Sequence, residues 1–318
     1  MSGDWFNDKN ISPMLIAENQ PPFDSPDHVY ELKWDGIRCL AYFDSDRTEL
    51  RNKRNKCLNA VYPELSDIHK QVHHRCILDG ELISLKDGKP DFQEVQRRSL
   101  MSNPFKISLA TKKQPVSFMA YDVLYIGNEA VMSRSLTWRA DALSELVSES
   151  VSLALSRRIN HDGVALFEAA KTQGLEGIIA KRKDSLYFPG KRTKDWVKIK
   201  NLIDEDFIVC GYYRKESAVA SVIIGSYADG KIVYQGHVAL GVSQRDFKLM
   251  EQCERVNAGS HYIDFPNFDG AVWLAPRLVC TVKYMERTTN GGLRQPTFKG
   301  IRTDKLPQEC VLLSCVFS

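Results

Sequence analysis

Apolar and polar positions alternate in short runs along most of the chain, and the character of the runs changes near residue 200. Before that point strand-like and helical patterns are mixed. Residues 29–43 read as a hairpin: Val29-Tyr30-Glu31-Leu32 is strand-like, Lys33-Trp34-Asp35-Gly36 holds turn residues, and 37–43 is strand-like again. Further strands are expected at 75–84, 116–126, 177–182 and 196–200. The last alternates most cleanly, with Trp196, Lys198 and Lys200 on one face and Val197 and Ile199 on the other. Helical patterns fall at 62–69, 139–155 and 162–173, the last with Asp162 as N-cap and Gly174 as stop. Residues 1–28, polar and rich in Pro and Asp, read as an extended arm. Beyond a polar joint at 201–205, strands dominate: 207–214, 219–227, 231–238 and 277–284, with a hairpin turn at Ala228-Asp229-Gly230 and a helix at 244–256. The pattern predicts an α+β domain over residues 1–203, followed by a small barrel of about five strands over 204–318.

Composition narrows the class. A chain of 318 residues with 43% hydrophobic and 26% charged residues suits a soluble globular protein of about two domains. No apolar run is long enough to span a membrane, and Met1-Ser2-Gly3-Asp4-Trp5 does not open like a secretory signal, so a cytoplasmic location is expected. Eight scattered cysteines, none in a C-x-x-C pair, read as reduced thiols and not as a zinc site. The net charge is only +3, yet basic residues cluster at 181–200, 47–56 and 283–305. Such local density suits phosphate contact, although solvated loops would look the same.

Candidate chemistry centres on Glu31-Leu32-Lys33-Trp34-Asp35-Gly36-Ile37-Arg38. A lysine at a strand end can be a nucleophile once uncharged, and burial and nearby cations such as Arg38, Lys198 and Lys200 promote that state. Alone, the segment reads rather as an exposed turn lysine beside a routine Asp-Gly turn. It is not alone: Asp79-Gly80-Glu81-Leu82, Met119-Ala120-Tyr121-Asp122, Leu175-Glu176-Gly177 through Lys181, and Trp196-Val197-Lys198-Ile199-Lys200 follow in order. Together these segments resemble the motifs of the covalent nucleotidyltransferases, which comprise DNA ligases, RNA ligases and capping guanylyltransferases. The Asp184–Arg192 stretch and the segment from Leu293-Arg294 to Asp304-Lys305 resemble DNA ligases, especially the ligase module of bacterial end-joining enzymes.

That resemblance implies an ATP-grasp-like nucleotidyltransferase domain of antiparallel sheets and helices, followed by an OB-fold barrel. It implies ATP as nucleotide and Mg²⁺ (or Mn²⁺) as metal. Lys33 would take AMP, with Asp35, Lys198 and Lys200 in the catalytic group. Glu31, Leu32, Arg38, Glu81 and Tyr121 would hold the nucleotide, with Arg302 and Lys305 from the barrel. Glu176 would hold the metal. The small basic motif after the first hairpin departs from the family pattern, so either Lys53 or Arg54 takes its place. Arg182, Lys183, Lys191, Arg192 and Lys194 would face DNA phosphates. The implied partners are nicked or broken duplex DNA and a Ku-like end-binding protein, with the chain a monomer. The rivals are an RNA ligase or guanylyltransferase, an NAD-dependent ligase, and a catalytically silent nucleic-acid-binding protein.

Overall fold

The computed structural model describes residues 4–215, 218–257, 261–262, 264–266, 268, 270–288 and 291–312. Two compact units divide the chain, Met1–Asn201 and Leu202–Ser318.

In the first unit the elements are α1 (Trp5–Asp8), β1 (Leu15–Asn19), β2 (His28–Leu32), β3 (Ile37–Phe43), β4 (Thr48–Asn52), β5 (Cys76–Lys86), β6 (Lys89–Pro90), α2 (Phe92–Ser99), α3 (Pro104–Lys113), β7 (Val116–Ile126), β8 (Glu129–Ala130), α4 (Leu136–Leu146), β9 (Leu153–Leu155), β10 (Ile159–Asn160), α5 (Gly163–Thr172), β11 (Gly177–Arg182) and β12 (Arg192–Lys200). They form two sheets. One runs β1-β12-β11-β2-β10; the other runs β4-β3-β5-β7-β8, with β6 on β5 and β9 on β7. Leu40, Tyr42, Ile77 and Leu124 of the second sheet pack with Val29, Ile179 and Trp196 of the first in one buried cluster.

The expected hairpin at 29–43 is corrected here. β2 pairs with β10 and β11, whereas β3 pairs with β4 and β5, so the two strands belong to different sheets. The link carrying Lys33 to Gly36 crosses between sheets instead of folding back. The backbone accounts for this. Lys33 N–H donates to the Gly177 carbonyl at 2.9 Å, which prolongs the β2–β11 ladder. A Cβ on Gly36 would then sit 2.1 Å from the Leu82 carbonyl oxygen of β5, so only glycine lets the crossing chain meet the second sheet.

Other expectations change too. Residues 62–69 form two short 3₁₀ turns, Pro63–Leu65 and Ile68–Gln71. Tyr62, Leu65 and Ile68 are all buried, and their spacing of three suits that tighter helix. The helix expected at 139–155 ends at Leu146, where Val147 is already extended, and the Ser150 hydroxyl then accepts the N–H groups of Ser152 and Leu153 and turns the chain into β9. The supposed arm contains α1 and β1, and β1 pairs parallel with β12. No pattern in the sequence predicts helices α2 and α3.

In the second unit, β13 (Ile203–Lys215), β14 (Ala218–Ala228), β15 (Lys231–Val238), β16 (Ala271–Trp273), β17 (Val279–Tyr284) and β18 (Thr297–Arg302) form a curled sheet ordered β15-β14-β13-β17-β18, with β16 on β13. The Phe298 N–H donates to the Leu240 carbonyl just past β15, which ties the far edge back. Asp229 and Gly230 both have positive φ, as a tight hairpin turn requires. Helix α6 (Gln244–Gln252), shorter than expected, buries Phe247 and Met250 against the interior and starts at a Ser243–Asp246 capping box. The seven described cysteines are free thiols; Cys315 lies outside the described residues.

Candidate active site in the first unit

A cleft of about 710 Å³ is lined by both sheets of the first unit and by α2. Lys33, at the crossing between the sheets, faces it. So do Glu31 and Leu32 from β2, Arg38 from β3, Lys53 and Arg54 after β4, Glu81 from β5, Tyr121 from β7, and Arg192 and Lys198 from β12. Both Lys53 and Arg54 reach the cleft, so the geometry does not choose between them. Asp35 is half-buried and off the lining.

The Lys33 ammonium pairs with Glu176 Oε2 at 2.5 Å, and Lys200 Nζ lies 3.6 Å from Glu176 Oε1. Lys198 joins them. Burial, then the charges of Lys200 and Lys33, lower its pKa. Three lysines therefore converge around one carboxylate, an arrangement suited to a polyphosphate. Among the described residues no three His, Cys, Asp or Glu side chains are grouped to hold a metal ion. A lone carboxylate such as Glu176 nevertheless fits Mg²⁺, which is commonly held by one or two carboxylates plus substrate phosphates.

Arg38 donates from Nε and Nη2 to the two oxygens of Asp79, at 3.0 and 2.5 Å, and from Nη1 to the Met14 carbonyl at 2.6 Å. A longer contact runs to the Tyr187 hydroxyl, 3.4 Å away. Among the described residues these contacts take four of its five N–H groups, leaving one for a ligand. Asp79 is fully buried and also accepts from the Tyr187 and Tyr121 hydroxyls, at 2.7 and 3.3 Å. It fixes the guanidinium and the aromatic ring together. Burial pushes the Glu81 carboxyl up to about 8; the like charges of Asp79 and Glu176 add to this, against Lys33 and Arg38. Burial also holds the Tyr121 hydroxyl well above its usual range, so the ring faces the cleft as a neutral phenol. Gly80 allows β5 to close on β7, since a Cβ there would meet the Met119 carbonyl at 2.5 Å.

The remaining basic residues are dispersed. Arg182 is paired to Asp184 and Asp195, and Lys183 Nζ donates to the Pro26 carbonyl at 2.7 Å. Lys191 and Lys194 are exposed, off the cleft. In the second unit Arg302 is clamped by Asp304 at 2.7 Å and lies 3.5 Å from Asp206, which also binds Lys305 at 2.8 Å. Asp122 proves structural: fully buried, it grips Arg139 of α4 at 2.7 and 2.9 Å.

Three residues of the cleft network have no role predicted from the sequence: Asp79, Lys181 and Trp196. Each stands in a motif segment, Asp79 opening the Asp-Gly-Glu run, Lys181 closing the Glu-Gly strand and Trp196 opening the Lys-x-Lys strand. Their buried contacts, and not their residue type, mark them out. Phe92 and Gln96 of α2 also line the cleft, without a sequence signal.

Comparison with known proteins gives the same family throughout. Residues 13–200 match the model of the ATP dependent DNA ligase domain, and residues 215–305 that of the ATP dependent DNA ligase C terminal region. The multifunctional non-homologous end joining DNA repair protein LigD of Mycobacterium tuberculosis is 30% identical over 96% of this chain, which spans only 40% of that protein's length. DNA ligase C of the same organism is 32% identical over 76% of this chain and 70% of its own. Among solved structures, mycobacterial DNA ligase D complexed with ATP and MES superposes with a TM-score of 0.56 at 29% identity, covering 96% of this chain and 99% of that one. With family models covering most of its length and a two-unit structure of the same kind, this chain belongs to the ATP-dependent DNA ligase family.

Proposed function

We propose that this chain seals breaks between a 5′-phosphate and a 3′-hydroxyl in duplex DNA, through AMP carried covalently on Lys33. One observation carries the reading: Lys33, at the crossing between sheets, opens into the cleft lined by Tyr121, Arg38, Glu81 and Lys198. Tyr121 offers a face for the adenine, and Glu81 and the remaining Arg38 donor suit ribose hydroxyls. A lysine attacks only as the free amine, so the ion pair with Glu176 must open and the ammonium must give up a proton to solvent first. The Nζ–phosphorus bond then forms as the bond to pyrophosphate breaks, with Lys198 and Lys200 beside the phosphates. Glu176 is the residue that would hold Mg²⁺ (or Mn²⁺), and the ion would offset the charge of the departing pyrophosphate. A DNA 5′-phosphate takes the AMP from Lys33, and the 3′-hydroxyl attacks that activated phosphate and expels AMP. Arg302 and Lys305, carried by the second unit, would orient the pyrophosphate.

Incubation with α-labelled ATP and Mg²⁺ should leave label on the denatured protein, stable to alkali and labile to acid as a phosphoramidate is, and Lys33→Ala should abolish it while the fold persists. A variant labelled as well as the parent would overturn the assignment. End-labelled nicked DNA should be joined, and nicked RNA should not. Similarity to end-joining proteins supports action at broken ends with a Ku-like partner, which co-purification with such a protein and DNA ends would test.

A further inference from the structure

Beneath the cleft a second lysine makes an ion pair that the transfer chemistry does not use. Lys181 of β11 and Glu31 of β2 lie on adjacent strands, where Ile179 is opposite Glu31 and Lys181 opposite Val29. Lys181 therefore reaches diagonally, and its Nζ meets Glu31 Oε1 at 2.8 Å, with both side chains only 3% exposed. The ammonium also lies 4.6 Å from the Tyr121 ring centroid and 4.3 Å from that of Trp196. All four side chains line the cleft. From the described residues no second donor reaches the Glu31 carboxylate.

We infer that Lys181 is a positioning residue that makes the site select adenine over guanine, by holding Glu31 as a fixed acceptor at the edge of the base stacked on Tyr121. This rests on the nucleotide reading above. The chemistry is that of matched and mismatched polar edges. A carboxylate paired with an ammonium offers acceptors only. The 6-amino group of adenine donates, so it satisfies the free oxygen of Glu31. Guanine presents a 6-carbonyl at the same place, and two acceptors face each other in a dry site. A buried group left unpaired in this way discriminates strongly. Without the lysine, the Glu31 carboxylate loses its one partner among the described residues and is no longer fixed at the base edge, so the discrimination would relax.

The test compares labelling of the protein by α-labelled ATP and by α-labelled GTP, each titrated so that the half-saturating concentration and the maximal rate are separated. Wild type should prefer ATP. Lys181→Met should lower the ATP-to-GTP ratio roughly tenfold or more, through the half-saturating concentrations, and Lys181→Arg should restore it. Should Lys181→Met fail to fold, Glu31→Gln, whose amide can donate to the guanine carbonyl, should lower the ratio likewise. Equal losses with both nucleotides, leaving the ratio unchanged in the folded variants, would overturn the inference and leave Lys181 a merely structural ion pair. A wild type that takes no label from ATP would instead refute the ligase reading itself.

Discussion

Glu81 is a carboxyl raised to about 8 by burial, and that has a consequence for stability. An unfolded glutamate releases its proton near 4.5, so between these values the native state holds a proton that the unfolded chain has lost. Stability then falls as pH rises from about 4.5 to about 8. Glu81→Gln cannot titrate, so its stability relative to wild type should improve across that window. Urea unfolding of both proteins at several pH values checks this, and parallel curves would refute it. Asp79 makes a sharper case. Asp79→Ala removes the acceptors for Arg38, Tyr187 and Tyr121 at once. Arg38 is half-buried, so the loss of its carboxylate should cost about 3 kcal/mol, the low end for a buried ion pair. The denaturant midpoint should fall accordingly, and labelling by ATP should fall with it because Arg38 and Tyr121 lose their orientation. A midpoint within error of wild type would show that Asp79 is not the anchor described.

Among elements, β1 has the least expected importance. Met14, just before it, is fully buried beside Phe6 and Ile11, its carbonyl accepts from Arg38, and its N–H donates to the Tyr187 hydroxyl at 3.0 Å. Leu15 and Ile16 line the cleft. Met14→Ala should cost about 2–5 kcal/mol, as large-to-small core changes do, read as a lower midpoint in chemical denaturation. The crossing between β2 and β3 gives a complementary test. Gly36→Ala places a methyl 2.1 Å from the Leu82 carbonyl, so one strand must shift. The expected cost is about 1–3 kcal/mol, with ATP labelling reduced further because Lys33 rides on the same link. Labelling at the wild-type rate would mean that the crossing is looser than described.

At the scale of the whole molecule, the modest net charge of +3 conceals strong local imbalance. Arg192 and Lys198 face the cleft and Lys191 stands exposed, whereas Arg182 is neutralised by two aspartates. DNA affinity should therefore fall steeply with added salt; Lys191→Ala should flatten the log–log slope by about one, and Arg182→Ala by less. Equal slopes for the two variants would contradict the pairing seen here. The sequence by itself determined the family, the order of its motifs, and the type of most strands, because nucleotidyl transfer needs particular groups at particular chain positions and strands announce themselves by alternation. Glycines at 36 and 80 were legible as motif letters but not as steric requirements. Only the tertiary structure decided that β2 and β3 part to different sheets, that Asp79 anchors Arg38, and that Lys181 pairs with Glu31 beneath Tyr121 and Trp196. Those facts depend on which strands become neighbours, and local pattern reports a residue's face along its own strand without reporting what lies across from it.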